Sequence, residues 1–168
     1  MTKNPFALQT AQLLRTTYFG GNWTAVNLRE LLSDLSRNEA YFHVPQLNSI
    51  ALLTFHIQYY HAPILGVLQG KPLDSSDKES FNMPELPDDA AWEAFKEQVW
   101  LEAETLAKAI ETLSDKSLGD NFSDEKYGNY YRNLHGLIEH THYHMGQIAL
   151  IKKILRENIE IGRRHNGL

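Results

Sequence analysis

Apolar residues recur along this chain at helical spacing and nowhere alternate with period two over a useful length. From Pro5 to about Tyr18, the residues Phe6, Leu13, Leu14 and Thr17 fall on or near one stripe. Pro5 suits an opening position, Asn4 can cap it, and Gly20-Gly21 stops it. The stretch from Asn22 to Pro45 is less regular. Val26, Leu28, Leu31, Leu32 and Leu35 predict a short helix at most, ended around Ser36-Arg-Asn38. A second long helix is predicted from about Ser49 to Gln69, capped by Asn48 or Ser49, with Ile50, Leu53, Ile57, Tyr60, Ile64 and Val67/Leu68 in period. Pro63 lies inside that pattern. It lacks a backbone donor and crowds the preceding turn, so it should bend the helix or end a first half.

Residues 71–87 form a polar loop with three prolines, too long for a simple turn and therefore a candidate rim or cover for a site. The third helix opens at Pro87-Asp-Asp-Ala, where acidic residues complement the helix dipole, and continues through Trp92, Phe95, Val99, Leu106, Ile110 and Leu113. Glu93, Glu97, Glu104 and Glu111 fall mostly on other faces and read as a solvated surface. After a loop from Leu118 to Gly128, the last helix runs from about Tyr130 to Arg156. The tail, from about residue 157 through Gly162 to Leu168, is expected to fray. Three long amphipathic helices and one at the N-terminus predict an all-α protein, a four-helix bundle forming one domain over residues 1–168.

Composition narrows the function more than the fold. With 42% apolar and 22% charged residues, the chain has the balance of an ordinary soluble globular protein. A formal net charge of −5 with scattered Lys and Arg provides no footprint for nucleic acid. No apolar stretch reaches the length of a membrane span, and Met1-Thr-Lys-Asn-Pro-Phe lacks the apolar core of a secretory signal, so a cytoplasmic protein is expected. There is no cysteine, so any metal must be held by nitrogen and oxygen, and any thiol chemistry must use a thiol from solution.

The eight histidines are sorted by spacing. In Leu137-Ile-Glu-His-Thr-His-Tyr-His-Met-Gly-Gln-Ile148, His140 and His144 lie about 40° apart on a helix and can close on one ion. His142 lies about 160–200° from both, on another face and at the surface, and His135 is about 140° from His140. His43 falls outside the helices and His165 in the tail. A third ligand must come from another helix. His56 is the natural choice among core-forming Leu52, Leu53, Ile57 and Tyr60, with His61, about 140° round the same helix, as its competitor. Three neutral imidazoles leave coordination positions for water or substrate, the layout of a catalytic rather than a closed metal site. Thr141 stands where a zincin protease has its glutamate base, which disfavours that chemistry. Gly146, which costs roughly 1 kcal/mol relative to alanine in mid-helix, points to close packing or access. Gln147 is placed to bond a ligand imidazole.

His140-x-x-x-His144-Met-Gly146-Gln147, together with Ser49-Ile-x-x-Leu-Leu-Thr-Phe-His56 and Gly70, resembles the DinB-like superfamily over most of the chain. The segment from Asn22-Trp23 to Leu35 is similar as well. Met145 departs from the arginine common before Gly-Gln in that family. The resemblance implies an up–down–down–up four-helix bundle in which His56, His140 and His144 bind a divalent ion, zinc or nickel, and it implies a homodimer. It also implies thiol-dependent S-transferase chemistry, with bacillithiol or a similar low-molecular-weight thiol, or metal-dependent hydrolysis. The partner is then a small-molecule substrate, and the catalytic groups beyond the ligands are unassigned. Tyr59, Tyr60 and Tyr143 are the phenols near the site, and no carboxylate base is evident. Two other readings stand beside this one: a non-catalytic metal or small-molecule binder using the same triad, and a structural helical homodimer with core histidines.

Overall fold

The computed structural model describes the backbone of residues 4–165 and the side chains as far as residue 161, so the ends of the chain, including the last residues of the expected frayed tail, lie outside it. Its helices are α1 (Pro5–Phe19), α2 (Leu28–Leu32), α3 (Arg37–Ala40), α4 (Ile50–Tyr59), α5 (His61–Leu68), α6 (Asp89–Glu111) and α7 (Tyr130–His165). No strand occurs among the described residues. The long helices pack around one hydrophobic core, with α1 against α6 and α7, α4 against α7, and α5 against α6.

The buried face of α1 is made by Ala7, Thr10, Ala11, Leu14, Thr17 and Tyr18, whereas Phe6 and Leu13 are exposed. Leu14 and Thr17 of the expected stripe are thus buried and Phe6 and Leu13 are not; the small residues Ala7, Thr10 and Ala11 complete the inner face. Asn4 makes no side-chain cap. Asp115, from the loop after α6, accepts from the backbone N–H groups of Phe6 (3.1 Å) and Ala7 (3.0 Å) instead. Arg15 on α1 pairs with both Glu104 and Glu111 of α6, so these two carboxylates tie helices together rather than simply facing water.

Between α1 and α4 there are two short helices, where one at most was expected. Ser36 starts α3 instead of ending a helix: its hydroxyl accepts from the Glu39 N–H while the Glu39 carboxylate takes the Ser36 N–H, a reciprocal cap. Ser49 caps α4 by accepting from Leu52 N–H at 3.2 Å. The expected interruption is present three residues before Pro63, at Tyr60, because Pro63 has no N–H for the Tyr59 carbonyl oxygen. Asp88 caps α6, accepting from Ala91 N–H at 2.8 Å. The last helix continues beyond Arg156 to His165.

Trp92, Tyr18, Leu14, Leu28, Leu32, Ile57, Leu106, Ile110 and Ile148 are inaccessible or nearly so and form the centre of the core. Trp92 also satisfies its indole N–H on the Leu35 carbonyl oxygen at 2.8 Å, which removes the cost of burying that donor. No helix among the described residues is long and apolar enough to cross a membrane.

Candidate metal centre

His56 is carried on α4 between the core residues Leu53 and Ile57, and its ring is 5% exposed. On α7 the sequence Leu137, His140, Thr141, His144 and Ile148 keeps one face against the core. That packing brings the three imidazoles together. His56 Nε2 lies 2.9 Å from His140 Nε2, and His144 Nε2 lies 3.1 Å from the same atom. One nitrogen from each of the three rings falls within 4.8 Å of the others, the only such group of metal-ligating side chains among the described residues. Nitrogens sharing an ion at about 2.0–2.1 Å can stand up to about 4 Å apart, so both short approaches fit one small cation.

The outer nitrogens explain which atoms face inward. The Ser80 hydroxyl donates to the Asp77 carbonyl oxygen at 2.6 Å, leaving its lone pair for the Nδ1–H of His56 at 2.8 Å. Gln147 Oε1 accepts from His144 Nδ1–H at 2.8 Å, the contact expected from its position three residues on. Both Nε2 atoms are thereby left as lone pairs aimed at His140 Nε2. His140 can bring one proton to that nitrogen at most. Two close N···N approaches therefore have a single hydrogen between them, and at least one lone pair meets another. A cation in place of the missing proton would satisfy all three lone pairs, so the donor set fits a metal ion.

Burial favours the ligating form of His140 and His56. It lowers the pKa of His140 to about 4, helped by the charges His144 and His56 would carry, and it lowers that of His56, with His144 acting in the same direction. Neutral imidazole is the form that binds metal.

The loop 71–87 does cover the site. A short 3-10 turn, Glu79–Phe81, seats Ser80 fully buried under His56 and stacks the Phe81 ring on the His56 ring at 4.0 Å. Tyr60 stands edge-on to His56 and His140, with centroids 5.4 and 5.2 Å away, and donates its hydroxyl to Asp77 Oδ1 at 2.8 Å. Asp77 is the carboxylate whose charge reaches both His56 and His140. Ser80 and Asp77 were missed in the sequence because an aperiodic loop offers only its length and prolines as a signal. Tyr59 is drawn into the loop instead, accepting from Ser76 N–H at 2.9 Å, and Tyr143 is exposed against His144.

The remaining histidines separate from the cluster. His61 is buried on the other side of the α4–α5 break and bonds Tyr18. His142, expected at the surface, is half-buried against α1 and lies 3.2 Å from Thr17 Oγ1. His135 packs on Tyr131 and His43 lies in an exposed loop. Thr141 is fully buried and donates to the Leu137 carbonyl oxygen, so the position of a zincin's glutamate faces the core here. Gly146 is exposed with nothing within 4 Å of a Cβ built on it, so it serves no close packing.

Beside His140 a cavity of about 380 Å³ opens to solvent, within the size range of small-molecule sites. The cluster thus has one ring on an accessible wall and two rings held from behind. Comparison with family models, curated proteins and solved structures finds no match to this chain.

Proposed function

We propose that this chain is a divalent-metal-dependent enzyme of the DinB-like class, an up–down–down–up bundle in which His56, His140 and His144 hold the ion. The reaction is transfer of a thiol to a small electrophile or hydrolysis of a small substrate. The observation that carries this reading is the shortage of protons at the three converging nitrogens. A divalent ion bound there would lower the pKa of a coordinated thiol or water and so supply a nucleophile near neutral pH.

The residues around the ion have separable tasks in this reading. Ser80 and Gln147 fix the tautomers and orientation of two ligands. Tyr60, whose pKa is raised first by burial, keeps its proton and holds Asp77 at the edge of the site. Asp77 is the group available to take a proton there. The half-buried wall at His140 admits the substrate, while Phe81 and the core exclude water from behind.

The test is the metal content of untagged protein, purified without chelators or added metal, with a His140→Ala variant in parallel. One ion per chain, lost in the variant, is expected. Failure of the wild type to take up zinc or nickel on reconstitution overturns the reading. Thiol transfer and ester hydrolysis are then assayed separately on the loaded protein. Firm metal binding with neither activity would reassign the chain as a metal-binding protein.

A further inference from the structure

The cavity beside His140 has a charge pattern at odds with the rest of the molecule. Lys126 and Arg132 line it and no acidic side chain does, in a chain of formal net charge −5. Arg132, Gly136 and His140 follow one another at intervals of four on α7, each about 40° round from the last, and line the cavity together. Arg132 therefore stands about 12 Å from His140 along the helix axis. Between them Gly136 carries no side chain, and a Cβ there would meet nothing within 4 Å, so the path along the helix is open.

Arg132 is also held in place without being neutralised. One Nη donates to the Tyr127 carbonyl oxygen at 3.0 Å, and no carboxylate pairs with it among the described residues. Gly128, at φ 74°, permits this: a Cβ there would come within 3.0 Å of Arg132 Cδ and 3.2 Å of its Nη1. Lys126 lies over the Tyr127 ring at 4.9 Å on the same rim and has an exposed ion pair with Asp124 at 3.7 Å, so Arg132 is the principal cation of the cavity and Lys126 adds to it. Ile64 and Leu137 supply apolar wall between the cations and the histidines.

We propose that Arg132 and Lys126 form an anion subsite for the carboxylate of an elongated small molecule whose apolar middle passes Gly136 and whose other end reaches the histidine cluster. A planar guanidinium with unused donors is matched to a carboxylate, and the spacing selects a chain of about eight carbons over a short acid. The inference rests on the proposed metal reading for what happens at the far end, but the subsite itself requires no metal. The carboxylate belongs either to the thiol or to the molecule that the thiol or water attacks.

Amide NMR titration of the metal-free protein with sodium octanoate, at constant ionic strength, tests the subsite. Saturable shifts at Gly128, Arg132 and Gly136 are expected, with affinity roughly tenfold lower in Arg132→Gln and octan-1-ol indifferent to that change. Gly136→Leu keeps both charges and fills the path; it should abolish the shifts while the rest of the spectrum stays native. Equal octanoate affinity in wild type and Arg132→Gln, or shifts confined to another surface, overturns the proposal. On zinc-loaded protein, 8-mercaptooctanoate binding more tightly than octanoate would give the carboxylate to the thiol; equal binding would give it to the other reactant. Because the octanoate arm uses no metal, its failure leaves the metal reading standing, and failure to load zinc leaves the octanoate result standing.

Discussion

His56 and His61 stand five residues apart on either side of the helix break, both nearly inaccessible and both with pKa values lowered by burial, yet their surroundings differ in kind. At His61 one nitrogen meets the Tyr18 hydroxyl at 2.6 Å and the other is buried with no hydrogen-bond partner among the described residues, 3.9 Å from Glu102 Oε2. At His56 the outer nitrogen is fixed by Ser80 and the inner one faces two further imidazoles. Desolvation acts on both, so a lowered pKa does not separate a site from a core residue. Convergent lone pairs beside an accessible wall do.

Four experiments would break or sharpen that contrast. The largest effect is expected from metal itself. At a free concentration a thousandfold above its Kd, zinc or nickel should stabilise the fold by about 4 kcal/mol, seen as a rise in unfolding midpoint. The gain should vanish in His140→Ala and survive in a His61 variant; survival in His140→Ala would place the ion elsewhere. Next, Ser80→Ala frees the His56 ring and should lower metal affinity by about 10–100-fold, roughly 1.4–2.7 kcal/mol, in competition with a chelator of known affinity. An unchanged affinity would remove Ser80 from the site.

The third experiment addresses His61. Its pKa is lowered from 6.5 to about 4 in the folded chain, so as pH falls the unfolded chain takes up the proton first. The stability associated with neutral His61 is fully present above pH 6.5 and is lost as pH falls toward 4, with a slope of up to about 1.4 kcal/mol per pH unit. Urea unfolding of metal-free protein across that window should show a shallower slope in Tyr18→Phe/His61→Leu. That variant also removes both members of the buried pair together, which avoids leaving one polar group stranded. The same slope in both proteins would mean that His61 titrates normally. The smallest effect is expected from Gly146→Ala, a gain of about 0.5–1 kcal/mol in thermal unfolding with metal stoichiometry unchanged, since open space surrounds that position.

The parts of the candidate site carried on regular helices were legible from spacing. An interval of four placed His140 and His144 together, an interval of three brought Gln147 to His144, and the core period of α4 turned His56 inward. Choosing His56 over His61 was harder, because both face the interior; the break at Tyr60 redirects His61 toward Tyr18. Ser80 and Asp77 could not be read in advance, since a loop's path is set by tertiary contacts rather than by period. On α1 the expected stripe was half right: Leu14 and Thr17 are buried, while Phe6 and Leu13 are exposed. Ala7, Thr10 and Ala11 line the inner face together with Leu14 and Tyr18, and small residues at such positions give a weak apolar signal in the sequence.

The cap that Asp115 provides to α1 has a consequence for the order in which the chain becomes secure. The amides of Phe6 and Ala7 find their acceptor more than a hundred residues away, beyond the end of α6. The first turn of α1 can form early, but its free N–H groups are satisfied only when that distant loop has docked, a closure of high sequence separation. In hydrogen exchange these two amides should therefore open together with the loop around Asp115, reporting on the far end of α6 from the first turn of the first helix.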